Sequence, residues 1–172
     1  MRTSGAISVA TLHLMVGLPC SGKTTLAQKL ESEQSALRLT PDEWHVRLFG
    51  QDVEEPEHDV RHSLIETMLW NIANRALVLG TNVILDFGFW AREEREDFRS
   101  RAKQLGASSE VHFLDVSDDE LMRRLAVRKV KSHDVCNSAS SRLIDQLAIS
   151  NAGSTSLRST IASMSAIDSG RK

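Results

Sequence analysis

Apolar positions along the chain change period several times, and each change marks an element. Thr11-Leu12-His13-Leu14-Met15-Val16 is a short, mostly apolar run that predicts a buried strand. Residues 24–31 instead put Leu26, Ala27 and Leu30 on one helical face. Ala36-Leu37-Arg38-Leu39 predicts a second strand. Thr40-Pro41-Asp42-Glu43 then opens a helix to about Phe49, with threonine at the N-cap, proline in the first position and acidic residues in the first turn. Residues 51–59 are acidic and read as a surface loop. Val60, Leu64, Met68, Leu69, Ile72, Ala76 and Leu77 recur at helical spacing until Gly80 stops the helix, and Trp70 and Met68 read as core. Residues 82–86 predict a third strand ending in a carboxylate, residues 92–105 a charged helix, and residues 111–115 a fourth strand. Ser117-Asp118-Asp119-Glu120 matches the S-x-x-E capping box ahead of a helix to about Val130.

Strands alternating with helices imply an α/β fold, a parallel sheet of about four or five strands flanked by helices, with ligands at the strands' C-terminal ends. The expected organisation is a flexible N-terminus (1–10), one nucleotide-binding domain (11–131) and a low-complexity tail (132–172). The tail holds 11 serines and no aromatic residue, so it has too little apolar surface to offset chain entropy. Residues 142–149 are its one candidate helix.

Between the first strand and first helix, Gly17-Leu18-Pro19-Cys20-Ser21-Gly22-Lys23-Thr24 fits G-x-x-x-x-G-K-[ST] completely, followed by Thr25. A phosphate needs several backbone N–H groups converging on it plus one mobile cation. Gly17 and Gly22 permit the tight turn, and the helix N-terminus adds its positive end. Lys23 is then expected on the β/γ-phosphates and the Thr24 hydroxyl on Mg²⁺. Strand, glycine loop and helix in that order predict the P-loop NTPase fold, with residues 17–25 holding ATP.

Composition narrows the partners. A chain of 172 residues with 41% hydrophobic residues suits one core, and a formal net charge of −2 gives no basic field for a large nucleic-acid partner. Cys20 and Cys136 lie far apart without metal-ligand spacing and read as reduced thiols; Cys20, inside the loop, reads as a small filler, with an oxidation-sensitive thiol as the alternative. With no signal-like segment and no apolar run of membrane-spanning length, a cytoplasmic protein without a membrane partner is expected. Oligomeric state is not legible.

Three further sites carry candidate chemistry, each with a plain structural alternative. Asp86 ends a buried strand, where a carboxylate either organises Mg²⁺ or caps the next turn. Asp42 follows the second strand, placed either to accept a proton from a substrate hydroxyl or to stabilise its helix N-terminus. Arg124 and Arg128 share a helical face at i, i+4, suited either to a lid over a transferring phosphoryl group or to solvent. Trp90 and Arg92 fall near the same cleft, with packing the ordinary role for Trp90. The Asp86-Phe87-Gly88 triplet lacks the rest of the protein-kinase motif set. A guanine-reading N-K-x-D is missing, and Asp86-Phe87 lacks the paired carboxylates of AAA+ motors.

The order of these segments resembles the small P-loop kinases of the polynucleotide kinase and zeta-toxin group, in particular its bacterial ATP-binding members, often labelled AAA-type ATPases. The resemblance rests on residues 17–25, 39–44, 83–90, 114–116 and 120–128. It implies Asp42 as catalytic base, Lys23 and Thr24 as ATP·Mg²⁺ anchors, Asp86 as the acidic strand end, and Arg124 and Arg128 as the lid. His45 stands where polynucleotide kinases place a substrate-binding arginine, which counts against a nucleic-acid 5′-hydroxyl acceptor. From Lys129 onward the resemblance stops, and a replaced terminus is the expectation there. The resulting reading is transfer of the ATP γ-phosphate to a hydroxyl of a small molecule. A nucleotide-binding regulatory protein or pseudoenzyme, and a nucleic-acid 5′-hydroxyl kinase, are the alternatives.

Overall fold

A computed structural model describes residues 9–50, 52, 55–89 and 91–131, with some side chains of the last helix left out. The expected N-terminal segment lies almost wholly, and the tail wholly, outside the described residues. Within them the chain runs β1 (Thr11–Gly17), α1 (Lys23–Gln34), β2 (Leu37–Leu39), α2 (Pro41–Phe49), α3 (His58–Val78), β3 (Val83–Leu85), α4 (Arg92–Gln104), β4 (Ser108–Leu114) and α5 (Asp118–Lys131). The four strands form one parallel sheet in the order β2-β3-β1-β4. No helix among the described residues is long and apolar enough to cross a membrane.

The central strands β1 and β3 are buried on both faces, which is why they read as near-continuous apolar runs, whereas the outer strands β2 and β4 are partly exposed. Leu12, Leu14 and Val16 of β1, with Val83 and Leu85 of β3, pack against Ile65, Leu69, Ala73 and Leu77 of α3 and Ala102 of α4. Met15 and Ile84 point the other way, onto Ala27 and Leu30 of α1. Each fully buried leucine of this kind contributes about 1.5–3 kcal/mol.

Three expectations shift. On α3 the buried row is Ile65, Leu69, Ala73 and Leu77, whereas Val60, Leu64, Met68 and Ile72 of the expected face are exposed. The helix carries apolar residues on two adjacent faces. The sheet takes the row centred on the small Ala73, which lets the backbones approach. Trp70 does pack on the core, against Phe98.

β4 begins at Ser108, earlier than its apolar pattern. The Ser108 N–H bonds Ala10 O at 2.9 Å and its hydroxyl meets Thr11 Oγ1 at 2.8 Å, so polar residues extend the ladder. The capping box forms by half: the Glu120 N–H donates to Ser117 Oγ at 3.4 Å, but the Glu120 carboxylate turns instead to Arg123 and Arg124.

Candidate nucleotide and phosphoryl-transfer site

The chain leaves β1 at Gly17 and enters α1 at Lys23, so the intervening loop closes over the sheet's C-terminal edge. Gly17 has φ +149°, and a Cβ there would come within 2.8 Å of Ser21 Oγ and 2.9 Å of Leu114 O. Gly22, with φ +104°, starts the helix. Cys20 also adopts a left-handed φ of 63°, a conformation that costs a non-glycine residue and recurs where function fixes the backbone. The first turn of α1 has neither a side-chain cap nor an acidic residue, which leaves its N–H groups suited to an anion. Ser21 Oγ is buried with no hydrogen-bond partner among the described residues. Lys23 Nζ donates to Gly17 O at 2.8 Å and Leu18 O at 2.9 Å, holding its charge over the loop. An orphaned hydroxyl, an uncapped helix and a tethered ammonium together fit a phosphate chain.

Thr24 and Asp86 meet beside the loop, where Thr24 Oγ1 donates to Asp86 Oδ2 at 2.8 Å. Asp86 continues past β3, its N–H bonded to Leu39 O at 3.0 Å, and is buried. Burial pushes its carboxyl pKa up, while the Thr24 hydroxyl and the Lys23 charge pull it back. A hydroxyl and a carboxylate in contact are hard oxygen donors that fit Mg²⁺.

Asp42 lies in the first turn of α2, half-buried, with Oδ1 3.5 Å from His62 Nε2 of α3. Its charge reaches Asp86 and adds to the upward push there. Hydrogen bonding to Asp42 in turn raises the His62 pKa, against the opposing effect of burial. From α5, Arg124 Nη1 donates to Ser21 O at 3.1 Å and Cys20 O at 3.3 Å, while its Nε is held by Glu120 at 2.6 Å. One of the two expected lid arginines thus touches the loop. The Arg128 side chain and Trp90 lie outside the described residues, and Arg92 is exposed at the start of α4.

Sequence reading missed a polar hub between α2 and α3. Asp52 Oδ1 accepts from His45 Nε2 at 2.6 Å and from His58 Nδ1 at 2.8 Å, and Oδ2 accepts from Arg61 at 2.7 Å. Burial opposes the Asp52 charge, but hydrogen bonds from Arg61, His58 and His45 outweigh it and hold the carboxyl well below its usual range. His45 is committed to this hub. The signal available was that His45, His58 and His62, three of six histidines, sit close together in sequence beside an acidic stretch.

Residues 12–149 match the model of the AAA_33 family, an AAA domain. No curated protein matches the sequence. Among solved structures, a candidate kinase from Chloroflexus aurantiacus superposes with TM-score 0.62 and 21% identity, over 72% of this chain and 69% of that one. A chain of the Pnkp1/Rnl/Hen1 RNA repair complex gives TM-score 0.63 and 22% identity, over 81% of this chain and 44% of that one. Another structure of the Pnkp1/Rnl/Hen1 complex gives 0.59 and 23%, over 71% and 41%. This chain thus spans less than half of those Pnkp1/Rnl/Hen1 chains. Likeness at such identities concerns the fold alone, here the parallel α/β sheet of the P-loop NTPase fold.

Proposed function

The chain belongs to this AAA-domain family, and from that premise we propose that it is a phosphotransferase moving the γ-phosphate of ATP to a hydroxyl of a small molecule. The loop 17–25 binds the phosphates through its backbone N–H groups, with Lys23 swinging from the Gly17 and Leu18 carbonyls onto the β- and γ-phosphate oxygens. Thr24 and Asp86 hold Mg²⁺. When bound, the ion would neutralise charge developing on the β- and γ-phosphates. Asp42 accepts the proton of the attacking hydroxyl, and His62 keeps its carboxylate oriented. Arg124, already against the loop, stabilises charge on the transferring group, joined by Arg128.

The observation that most supports this reading is the Thr24–Asp86 hydrogen bond with Arg124 on the same loop, since a merely structural glycine turn needs neither. The test is transfer from radiolabelled ATP to a panel of hydroxyl compounds by wild type, Lys23→Ala and Asp42→Asn. Binding lost in the first variant and transfer lost in the second are expected. ATP binding without transfer to any acceptor would leave the regulatory or pseudoenzyme reading in its place.

One observation favours a second reading, a nucleic-acid 5′-hydroxyl kinase: the likeness to a chain of an RNA repair complex. Against it, His45 is buried on Asp52, so no guanidinium occupies that position to grip a nucleic-acid phosphate. A 5′-hydroxyl oligonucleotide in the acceptor panel decides between them.

A further inference from the structure

A second polar cluster lies on the sheet away from the P-loop chemistry. In the parallel pairing of β1 with β4, His13 stands opposite Glu110, and His112 follows two residues on, so all three side chains share one face. That face is the one carrying Met15, opposite the face on which Leu12, Leu14, Val16, Val111 and Phe113 pack. β4 is the edge strand of the sheet among the described residues. Three donor atoms converge there: His13 Nδ1 and His112 Nε2 are 2.9 Å apart, His13 Nδ1 and Glu110 Oε2 3.4 Å, and His112 Nε2 and Glu110 Oε2 3.7 Å.

We propose that His13, Glu110 and His112 form a binding site for a divalent transition cation of the zinc class. The spacing carries the argument. A point in the plane of the three atoms and equidistant from them lies about 2.0 Å from each, matching the about 2.0–2.2 Å of zinc–imidazole and zinc–carboxylate bonds. Two imidazoles with one carboxylate are the donors that such cations prefer, whereas magnesium and calcium prefer oxygen alone.

Exposure is graded in the way a site with an entrance needs. The His13 side chain is 1% exposed, that of His112 21% and that of Glu110 59%, so the set opens to solvent on one side, where water can complete four-coordination. Burial of a histidine between Leu12 and Leu14, against a second histidine and a carboxylate, is not needed for packing, since an aliphatic residue would fill position 13 of β1. His13 also hydrogen-bonds His112 at 2.9 Å and interacts with Gln34, so its ring is held in a fixed orientation with Nδ1 turned to the other two donors.

The other three-donor cluster, His45, Asp52 and His58, lacks this character. Its carboxylate already accepts from both rings and from Arg61, and the guanidinium supplies the positive charge that a cation would bring. It is a closed hub. In the β1–β4 set the donors are joined by the His13–His112 hydrogen bond with the Glu110 carboxylate within reach, and none of the three brings a fixed positive charge.

A bound cation would clamp β4 to β1 four residues before the P-loop begins at Gly17, so its effect should appear in stability without any nucleotide. The experiment is calorimetric titration of the full chain with Zn²⁺, with thermal unfolding alongside, in a Cys20→Ser/Cys136→Ser background so that no thiolate contributes. One equivalent of zinc should bind and raise Tm. His112→Gln and Glu110→Gln, both at solvent-reached positions and so tolerable to the fold, should each weaken binding at least about tenfold and lose the Tm rise. Asp86→Asn should bind zinc as the parent does, which separates this set from the Thr24–Asp86 pair. Failure of the parent to bind zinc, equal affinity in the His112 and Glu110 variants, or loss of binding in Asp86→Asn would each overturn the proposal.

Discussion

Thr24 Oγ1 donates a 2.8 Å hydrogen bond to Asp86 Oδ2, joining the first turn of α1 to the end of β3 at the mouth of the phosphate loop. Burial raises the Asp86 pKa, which means that the folded, ligand-free domain bears a cost for keeping this carboxylate charged. A carboxyl whose folded pKa exceeds its unfolded value makes the fold gain stability as pH falls towards that unfolded value. Asp86→Asn removes the charge and keeps an oxygen to accept from Thr24. The variant should unfold roughly 2–4 °C above wild type at neutral pH without ligand. It should also lose the Mg²⁺-dependent part of ATP binding. Thermal unfolding with and without Mg²⁺·ATP checks both halves, and an unchanged nucleotide response would remove Asp86 from the metal site.

Asp42 and His62 form a carboxylate–imidazole pair across α2 and α3. If Asp42 takes the substrate proton, Asp42→Asn should lower kcat by about 10²–10⁴ while ATP affinity stays within a factor of about two. The hydrogen bond to Asp42 raises the His62 pKa, so the stabilisation is fully present below the ordinary histidine value and fades as pH rises through the raised one. The Tm difference between wild type and His62→Gln should therefore be larger at pH 6 than at pH 9. A difference independent of pH would show that His62 acts by packing alone.

How much of this was legible depended on whether the signal was local. The phosphate loop is a contiguous stretch whose chemistry fixes its residues, so Gly17 to Thr24 could be read directly. Helix α2 likewise starts where Pro41 and its acidic neighbours require. Asp86 could be placed because an apolar run ends in it. The α3 face could not, because two apolar rows were equally periodic and only the sheet chooses the one with Ala73. Nor could the Asp52 hub or the His13–Glu110–His112 set. The hub needs a loop to turn a carboxylate inward between two helices. The β1–β4 set needs the register that sets residue 13 opposite residue 110.

Asp52 organises α2, α3 and their connection through three donors. Its depressed pKa means that this contribution is present above the unfolded carboxyl value of about 3.8 and is lost as pH falls through the folded one. Asp52→Asn puts an amide group where Oδ2 accepted from Arg61, leaving that guanidinium with Glu55 alone, and removes the charge behind the two hydrogen bonds that His45 and His58 make to Oδ1. The variant should lose several degrees of Tm at pH 7, and the gap should close as both proteins are acidified to the bottom of that range. Because α2 carries Asp42, transfer should fall as well while Lys23-dependent ATP binding persists. Circular dichroism melts at stepped pH, paired with the transfer assay, measure this. A gap that stays constant with pH would mean that the Asp52 charge has no part in holding the helices.

Arg124 ties α5 to the phosphate loop through the Ser21 and Cys20 carbonyls and is itself anchored by Glu120. Hydrogen bonding to Arg123 and Arg124 lowers the Glu120 pKa to about 2, so the anchor remains charged down to strongly acid conditions. Arg124→Ala should then have two separable effects. It releases α5 from the loop, which hydrogen exchange should register as faster opening of residues 118–124 without a matching change in β1. If Arg124 faces the transferring phosphoryl group as proposed, the substitution also removes a cation there, which should lower kcat by about 10²–10³ with a smaller change in KM for ATP. Arg124→Lys keeps the charge but not the fork that spans Glu120 and two carbonyls, so it should restore only a minor part of kcat. Glu120→Gln serves as the control for docking: it weakens the anchor while leaving the guanidinium, and should speed exchange in α5 with a milder loss of kcat. If Arg124→Ala loosened α5 but turned over ATP as wild type does, the arginine would be a latch between helix and loop and the transition-state role would fall to Arg128.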